Sequence, residues 1–243
     1  MKFWNVILLE LRGMRVYKVF LLINLVVLPF SYAVVLLLAG AGQDHSYLLS
    51  GLVVASLVGT FVGLVAHRVS NLVQPEVLEL YAVLPARMEL MVVGAVAAYA
   101  LIVFPQVGAL TGLMIGLSQA GKEALLAVPG TFLGFLFLAL LGVFLGTLIR
   151  NPYKAQGLFP LLTWILLLAA PVYYQAESLP RAYVMLVLLN PLTHVLNVIR
   201  PHLGFTPLLD IRISIGLLVV VGGLMGLYAL RSLRDPKMLE RFF

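Results

Sequence analysis

Six long stretches of this sequence contain no charged residue and no histidine, and they constrain its fold more than any other feature. The windows are 18 to 27 residues long and cover residues 19–39, 47–66, 91–117, 124–149, 155–174 and 213–230. The hydrocarbon core of a bilayer is about 30 Å thick and a helix rises about 1.5 Å per residue, so one crossing needs roughly 20 apolar residues. Since 62% of all residues are hydrophobic and 11% are charged, we predict an all-α membrane protein with six transmembrane helices.

A seventh apolar stretch, residues 182–199, contains Asn190-Pro191 near its centre. Proline removes a backbone donor and disfavours helix at the residue before it. We therefore predict that this stretch breaks into two half-length pieces and does not cross the membrane.

The distribution of basic residues distinguishes six spans from seven. Six spans place both termini on one face with residues 67–90 and 150–154, and this face then carries twelve Lys and Arg residues against four on the other. A seventh span would leave eight on each face. Because cytoplasmic segments are enriched in Lys and Arg, we predict six spans in a cell inner or plasma membrane, with both termini cytoplasmic. The cytoplasmic tail would be residues 231–243. Residues 175–212 would form a re-entrant or surface-lying hairpin on the outer face. The net charge of +6 is explained by anionic lipid headgroups, without a nucleic-acid partner.

The first residues of the chain are amphipathic. At 100° per residue one face carries Phe3, Trp4, Ile7, Leu11 and Met14, and the opposite face carries Lys2, Asn5, Arg12 and Gly13. This pattern is typical of a helix that lies in the headgroup plane. We predict an interfacial elbow helix over residues 1–18, in which Trp4, Ile7, Leu11 and Arg12 mark the two faces. An ordinary cytosolic helix packed on another element is the alternative.

Glycines recur four residues apart within several windows. They are Gly59 and Gly63; Gly108, Gly112 and Gly116; Gly130 and Gly134; Gly142 and Gly146; and Gly222 and Gly226. Because lipid offers helices no hydrophobic reason to associate, close approach at small residues supplies much of the contact energy. The spacing predicts a compact bundle.

Catalytic and ion-coupling patterns are missing from the sequence. All charged residues and histidines fall outside the six windows, whereas an ion-coupled carrier normally places such groups within its spans. The sequence has no cysteine, His-Glu-x-x-His or Gly-x-Ser-x-Gly. Residues 116–123 match a phosphate loop until the last position, where Glu123 replaces the required Ser or Thr. We expect no enzymatic activity and no bound metal or cofactor, and we expect the energy for transport to come from a partner.

The predicted cytoplasmic connection at residues 67–90 is the best candidate for contact with such a partner. Pro75 suits the first turn of a helix, Glu76 and Glu79 favour its N-terminal end, and Pro85 ends it. A helix of about ten residues is marginal alone and needs something to pack against. We predict a helix that exposes Leu80, Tyr81 and Leu84 to a cytosolic partner; a helix lying on the membrane surface is the alternative.

These features together resemble the permease subunits of type-2 ABC exporters. The resemblance rests on the basic amphipathic N-terminal helix, on the acidic helix followed by Leu84-Pro85-Ala86-Arg87, and on Asn190-Pro191-Leu192-Thr193 after the fifth span. It covers nearly the whole chain, from Met1 to Arg231.

The resemblance implies a dimer of permeases, homomeric or heteromeric, with two separate cytosolic ATPase subunits that bind ATP and Mg. The coupling helix would be residues 76–87, with Glu76, Glu79, Leu80, Tyr81, Leu84, Pro85 and Arg87 at the ATPase. The outer hairpin would carry Asn190, Pro191 and Thr193.

The apolar spans suit a hydrophobic or amphipathic cargo, such as a lipid or a drug-like molecule. Polar residues that could line its path are Asn24, Ser56, Thr60, Gln106, Thr111 and Thr163, and each is equally suited to bond a neighbouring helix. A membrane scaffold or assembly factor without transport is the alternative function.

Overall fold

The computed structural model describes residues 3–14, 44–74, 87–176 and 179–234, with five isolated positions between residues 19 and 34. Among these residues every regular element is helical and no strand occurs. The predicted all-α class is confirmed.

The described residues form eight α-helices, which we number in chain order. Helix α1 is Phe3–Gly13, α2 is His45–Leu72, α3 is Met88–Leu117, α4 is Ala127–Leu148, α5 is Pro152–Ala169, α6 is Arg181–Leu188, α7 is Pro191–Ile199 and α8 is Ile211–Arg234. A 3₁₀ turn over Gly121–Leu126 leads into α4, and another over Arg200–Leu203 follows α7. The middle of α2, Gly59–Val65, has π-helical hydrogen bonding.

Four of the described helices are long and apolar enough to cross a bilayer: α2, α3, α8, and α4 together with the turn before it. They correspond to four of the six predicted windows. Helix α5 has 18 residues and ends at Ala169, five residues before its window does. Pro171 explains this end, because a proline disfavours helix at the preceding residue. The first window, residues 19–39, lies outside the described residues, so the count of six spans stays a prediction.

Helix α2 continues beyond the end of its predicted window at residue 66. It runs to Leu72 and thus includes His67 and Arg68, and the next helix begins at Met88. The connection between them is shorter than residues 67–90 because a helix need not stop where its uncharged stretch stops. A basic side chain near the end of a span can extend its charged group toward the polar region.

The stretch around Asn190-Pro191 breaks as predicted. Helices α6 and α7 meet there at 95°. Asn190 caps α7 by accepting a hydrogen bond from the amide of Leu192 at 3.0 Å, and Pro191 takes the first helical position. A proline at this position loses no helical hydrogen bond.

Two sets of contacts define the two ends of the bundle. At the Arg68 end, the Ser70 hydroxyl donates to the carbonyl of Ile149, after α4, and Arg234 of α8 pairs with Glu89 of α3 at 3.0 Å. At the Arg200 end, Arg200 contacts the first turns of α2 and the turn after α5. The helices α2, α3, α4, α5 and α8 therefore alternate in direction, while both segments that flank the α6–α7 pair lie at the Arg200 end.

Glycines allow the closest helix contacts. A Cβ at Gly142 would collide with the carbonyl oxygen of Phe61 on α2, and one at Gly146 would lie 2.6 Å from the carbonyl oxygen of Ala66. Gly130 and Gly134 of α4 approach α7 closely, because a Cβ at Gly130 would lie 3.1 Å from the carbonyl oxygen of Val198 and one at Gly134 would collide with the Val195 side chain. These pairs confirm the compact packing that their spacing predicts.

Candidate functional site

A cavity with a volume of about 590 Å³ lies at the Arg68 end. The walls that the structure describes come from Met14, directly after α1, and from α2, α3 and α5. The described lining residues are Met14, Gly63, Leu64, His67, Arg68, Asn71, Tyr99, Ala155, Gln156 and Pro160. Apolar side chains line it toward the middle of α2, and polar side chains follow along the last turns of that helix. Such a cavity is large enough for a small organic molecule or part of a lipid.

The α2 wall of this cavity contains the π-helical segment. Gly63 and Leu64 lie in Gly59–Val65, and His67, Arg68 and Asn71 follow in the α-helical last turns. Insertion of a π segment rotates the following residues relative to a continuous α-helix, and π segments occur frequently at functional sites. The local winding of α2 therefore contributes to the presentation of these polar groups to the cavity.

A partly buried ion pair joins two helices beside the cavity. The Nε and Nη2 atoms of Arg68 donate to the two carboxylate oxygens of Glu10 at 2.9 and 2.8 Å. Glu10 is 3% exposed and Arg68 is 29% exposed. The bidentate geometry is the strong form of this interaction. It fixes α1 against the end of α2.

Sequence reasoning missed Glu10. The predicted apolar face of α1 ran through Trp4, Ile7 and Leu11, whereas the buried positions are Val6, Ile7 and Glu10. Trp4 is 59% exposed. The available signal was the spacing of Glu10, which follows Val6 by four positions and Ile7 by three and therefore shares a helix face with them. The elbow orientation of α1 in a membrane stays a prediction.

The predicted coupling residues fall almost entirely outside the described residues. Residues 75–86, which include Glu76, Glu79, Leu80, Tyr81, Leu84 and Pro85, are not described. Arg87 is exposed, has extended backbone and directly precedes α3. The two described ends of this connection, at Gln74 and Arg87, both lie at the Arg68 end. The role of these residues in coupling stays a prediction.

Most of the described polar cargo residues take part in hydrogen bonds, either between two helices or within one helix. Gln106 donates to the Ser56 hydroxyl at 3.2 Å, Thr60 donates to the carbonyl of Ser56, and Thr163 donates to the carbonyl of Phe159. The Thr111 hydroxyl is buried without a hydrogen-bond partner. None of these five predicted residues belongs to the described cavity lining, although Thr163 lies next to Gly63. Asn24 is outside the described residues, and the cargo role of all six remains a prediction.

The Arg200 end contains a different kind of polar cluster. Arg200 is 6% exposed and donates to the Tyr47 hydroxyl at 2.8 Å, the Ser50 hydroxyl at 3.0 Å and the carbonyl of Pro171 at 2.6 Å. Its guanidinium also lies 3.5 Å from the centroid of the Tyr47 ring. These contacts join α2, the turn after α5 and the end of α7.

The predicted hairpin residues take part in structural hydrogen bonds at this end. The Asn190 amide donates to the carbonyl of Leu166 in α5 at 2.7 Å, and the Thr193 hydroxyl donates to the carbonyl of Val187 in α6 at 2.6 Å. His194 bonds Ser214 of α8 and the carbonyl of Leu188. These bonds hold the broken helix pair against α5 and α8. Within the described residues no group of three His, Asp or Glu side chains is arranged to hold a metal ion.

These observations define a multi-pass α-helical membrane protein with an amphipathic cavity at one end. The family model described as ABC-2 type transporter matches residues 3–202, and the chain belongs to this family. It is a membrane component of an ABC transporter, as the permease resemblance implied. A search of curated proteins gives no match.

Proposed function

We propose that this chain is the membrane-spanning subunit of an ATP-driven exporter that uses a separate ATPase subunit and moves a hydrophobic or amphipathic cargo. The observation that carries the proposal is the family match over residues 3–202. Two such subunits would form the transport path. ATP binding can shift the pair between inward- and outward-open states only if nucleotide favours one state over the other.

The arrangement of the described helices supports the six-span topology. Met14 lines the cavity at the Arg68 end, whereas Asp44 caps α2 at the Arg200 end. These two residues lie at opposite ends of the bundle, which supports the proposal of a first span at residues 19–39. The α6–α7 pair enters and leaves at the Arg200 end, which supports an outer re-entrant hairpin.

The sequence supports a cytoplasmic location for the Arg68 end. The N-terminal segment, the connections at this end and the tail together carry most of the basic residues, and positive charge marks the cytoplasmic side. The cavity would then open toward the cytoplasm, and the connection at residues 73–87 would face the ATPase. This is where a coupling helix has to lie.

The cavity lining supports an amphipathic cargo. Leu64, Tyr99 and Pro160 offer apolar surface, while Asn71 and Gln156 offer amide groups. A ligand with an apolar body and a hydrogen-bonding head matches both kinds of surface.

Native co-purification tests the proposal. We expect the wild-type chain to recover a phosphate-loop ATPase from its own cell membranes, and we expect Glu79→Lys with Leu84→Asp to lose at least about tenfold of it, because burying a misplaced charge in an interface is costly. Glu123→Lys, in the exposed turn before α4 on the predicted outer face, is the matched control and should retain the ATPase.

Two results would contradict this assignment. One is recovery of the folded wild-type chain without any ATPase. The other is unchanged ATPase binding and ATP-dependent transport in the double variant. Either result would favour a scaffold without transport.

A further inference from the structure

The ion pair beside the cavity does more than attach α1. We propose that Glu10 and Arg68 form a latch that narrows the cavity on its α1 side, and that separation of the two side chains widens the access of the aqueous phase to the cavity. This inference rests on the proposed function in taking the cavity as part of the cargo path, but the latch itself is testable without cargo or ATPase.

The latch joins two pairs of helices, α1 with α3 and α2 with α4, each of which has a close contact of its own. On one side α1 packs on α3: Val6 lies against Gly94, where a Cβ would collide with it, and Ile7 packs with Ala98. On the other side the last turns of α2 pack on α4, with Val69 against Gly146. Each of these two contacts involves closely fitted backbone, so each group is expected to move as a unit.

The cavity lies between these two groups. Met14 and Tyr99 line it from the α1–α3 side, and Leu64, His67 and Arg68 line it from the α2 side. The Glu10–Arg68 pair connects the same two sides. An increase in the distance between the two groups therefore widens the cavity and stretches the ion pair at the same time.

The chemistry of the pair favours two discrete states. Glu10 lies on the packed face of α1, where a carboxylate without a partner is unfavourable. A partly stretched pair would lose its bidentate contact while Glu10 is still shielded from water. The closed state with the pair intact and an open state with a hydrated Glu10 are each better than any state between them.

The position along the chain connects the latch to the predicted coupling segment. Arg68 lies less than two helical turns before Gln74, the last described residue ahead of that segment. A rotation of the last turns of α2, driven from residues 75–86, would act directly on Arg68. The latch would thus convert a movement at the ATPase side into opening of the cavity.

Thiol labelling measures the opening, since the natural sequence has no cysteine. Leu64→Cys is the reporter, because Leu64 lines the cavity and is buried. Val65→Cys is the matched control, because Val65 is buried next to it but is not a lining residue. The full chain is studied in inside-out membrane vesicles with a charged maleimide that does not cross the bilayer.

We expect Glu10→Gln to raise the labelling rate of Leu64→Cys at least about tenfold, because the open state becomes more populated when the closed state loses the pair. The exchanged variant Glu10→Arg with Arg68→Glu should restore slow labelling. Glu89→Gln, which breaks the exposed pair with Arg234, should leave the rate unchanged, and Val65→Cys should stay unlabelled in every background.

Unchanged labelling in folded Glu10→Gln protein would overturn the latch and leave a static attachment of α1. Equal acceleration by Glu89→Gln would also overturn it. If Glu10→Gln does not fold, Arg68→Lys, which keeps the charge but loses the bidentate geometry, replaces it with the same expected direction. Failure of the latch does not affect the co-purification result, and failure to recover an ATPase does not affect labelling.

Discussion

The two ends of the helix bundle are built in opposite ways. At the Arg68 end a carboxylate and a guanidinium hold α1 beside a cavity of about 590 Å³. At the Arg200 end a buried guanidinium bonds two hydroxyls and the carbonyl of Pro171, and the cavity next to it measures about 20 Å³. That space is enough for roughly one water molecule.

This difference separates a fixed end from a movable one. Arg200 bonds α2 and the turn after α5 through several acceptors at once, so any displacement there breaks several bonds. At the Arg68 end the Glu10–Arg68 pair joins α1 to α2 beside the cavity. We infer that conformational change is concentrated at the Arg68 end while the Arg200 end keeps its packing.

The largest expected effect is that of Arg200→Ala. We expect the free energy of unfolding to fall by roughly 3 kcal/mol or more, because buried carbonyl oxygens lose hydrogen bonds to a charged group that are each worth about 1.5–3 kcal/mol. Reversible denaturation in mixed micelles measures it. Arg212→Ala, at an exposed position on α8, is the control and should change it by less than about 0.5 kcal/mol. Similar losses from both variants would remove the distinction between the ends.

The next largest effect concerns the ion pair between Glu10 and the Arg68 guanidinium. Glu10→Gln should lower the free energy of unfolding by about 1.5–3 kcal/mol, since it removes a charge-assisted bidentate pair. The loss should be smaller than that of Arg200→Ala because Arg68 is 29% exposed and can be partly hydrated. The same denaturation measurement on Glu89→Gln, whose partner Arg234 is 69% exposed, should show at most about 1 kcal/mol. A Glu10→Gln loss larger than that of Arg200→Ala would reverse the assignment of the fixed end.

Substitution of two glycines of α2 compares the packing density at the two ends of the bundle. A Cβ at Gly51 would lie 2.5 Å from the carbonyl oxygen of Val172, whereas a Cβ at Gly63 would have its nearest neighbour, the Thr163 hydroxyl, at 4.0 Å. Gly51→Ala should therefore cost about 1–3 kcal/mol of stability through overpacking. Gly63→Ala should be neutral or slightly stabilising, since alanine is the better helix former. Thermal unfolding of the two variants side by side decides between these outcomes, and an equal cost at both sites would mean that the cavity end is packed as tightly as the other.

The smallest expected effect tests whether the stability of the Arg200 end depends on its hydrogen bonds or on burial alone. Thr193→Val removes a donor to the carbonyl of Val187 and should cost about 1 kcal/mol. Thr111→Val is the matched variant, because this buried hydroxyl has no hydrogen-bond partner, and it should be neutral or stabilising. Urea or SDS titration of both proteins measures the difference. If the two variants behave alike, burial alone accounts for the stability of the broken helix pair.

The apolar windows and the proline rules predicted most of the described helices. The windows located α2, α3, α4 and α8 because the bilayer length imposes a minimum on any apolar helix. Pro191 located the break between α6 and α7 because its ring restricts the backbone locally. Both signals depend on residues that are close in sequence, so the sequence alone was sufficient.

Glycine spacing was less informative, because identical spacing led to different outcomes. Gly142 and Gly146 contact α2 closely, whereas a Cβ at Gly108, Gly112 or Gly116 would meet no atom within 4 Å among the residues described. The pattern shows that one face of a helix carries only small residues. It contains no information on which other helix, if any, packs there.

The charged residues of the candidate site show the same limit. Glu10 and Arg68 are 58 positions apart, and Arg200 is 150 positions from Ser50. Counted along the sequence, Glu10 belongs to an exposed amphipathic helix and Arg200 to the basic residues of the outer face. Their burial depends on which helices become neighbours.

The sequence by itself determined the membrane class, the position of most spans and the break at Pro191, because helix length, backbone restriction and the avoidance of charge in lipid act over one helix at a time. Only the tertiary structure decided that Glu10 pairs with Arg68, that Arg200 is enclosed by α2 and the turn after α5, and that a cavity of about 590 Å³ lies beside the Glu10–Arg68 pair. Those properties arise from the distances between helices, which no single helix specifies.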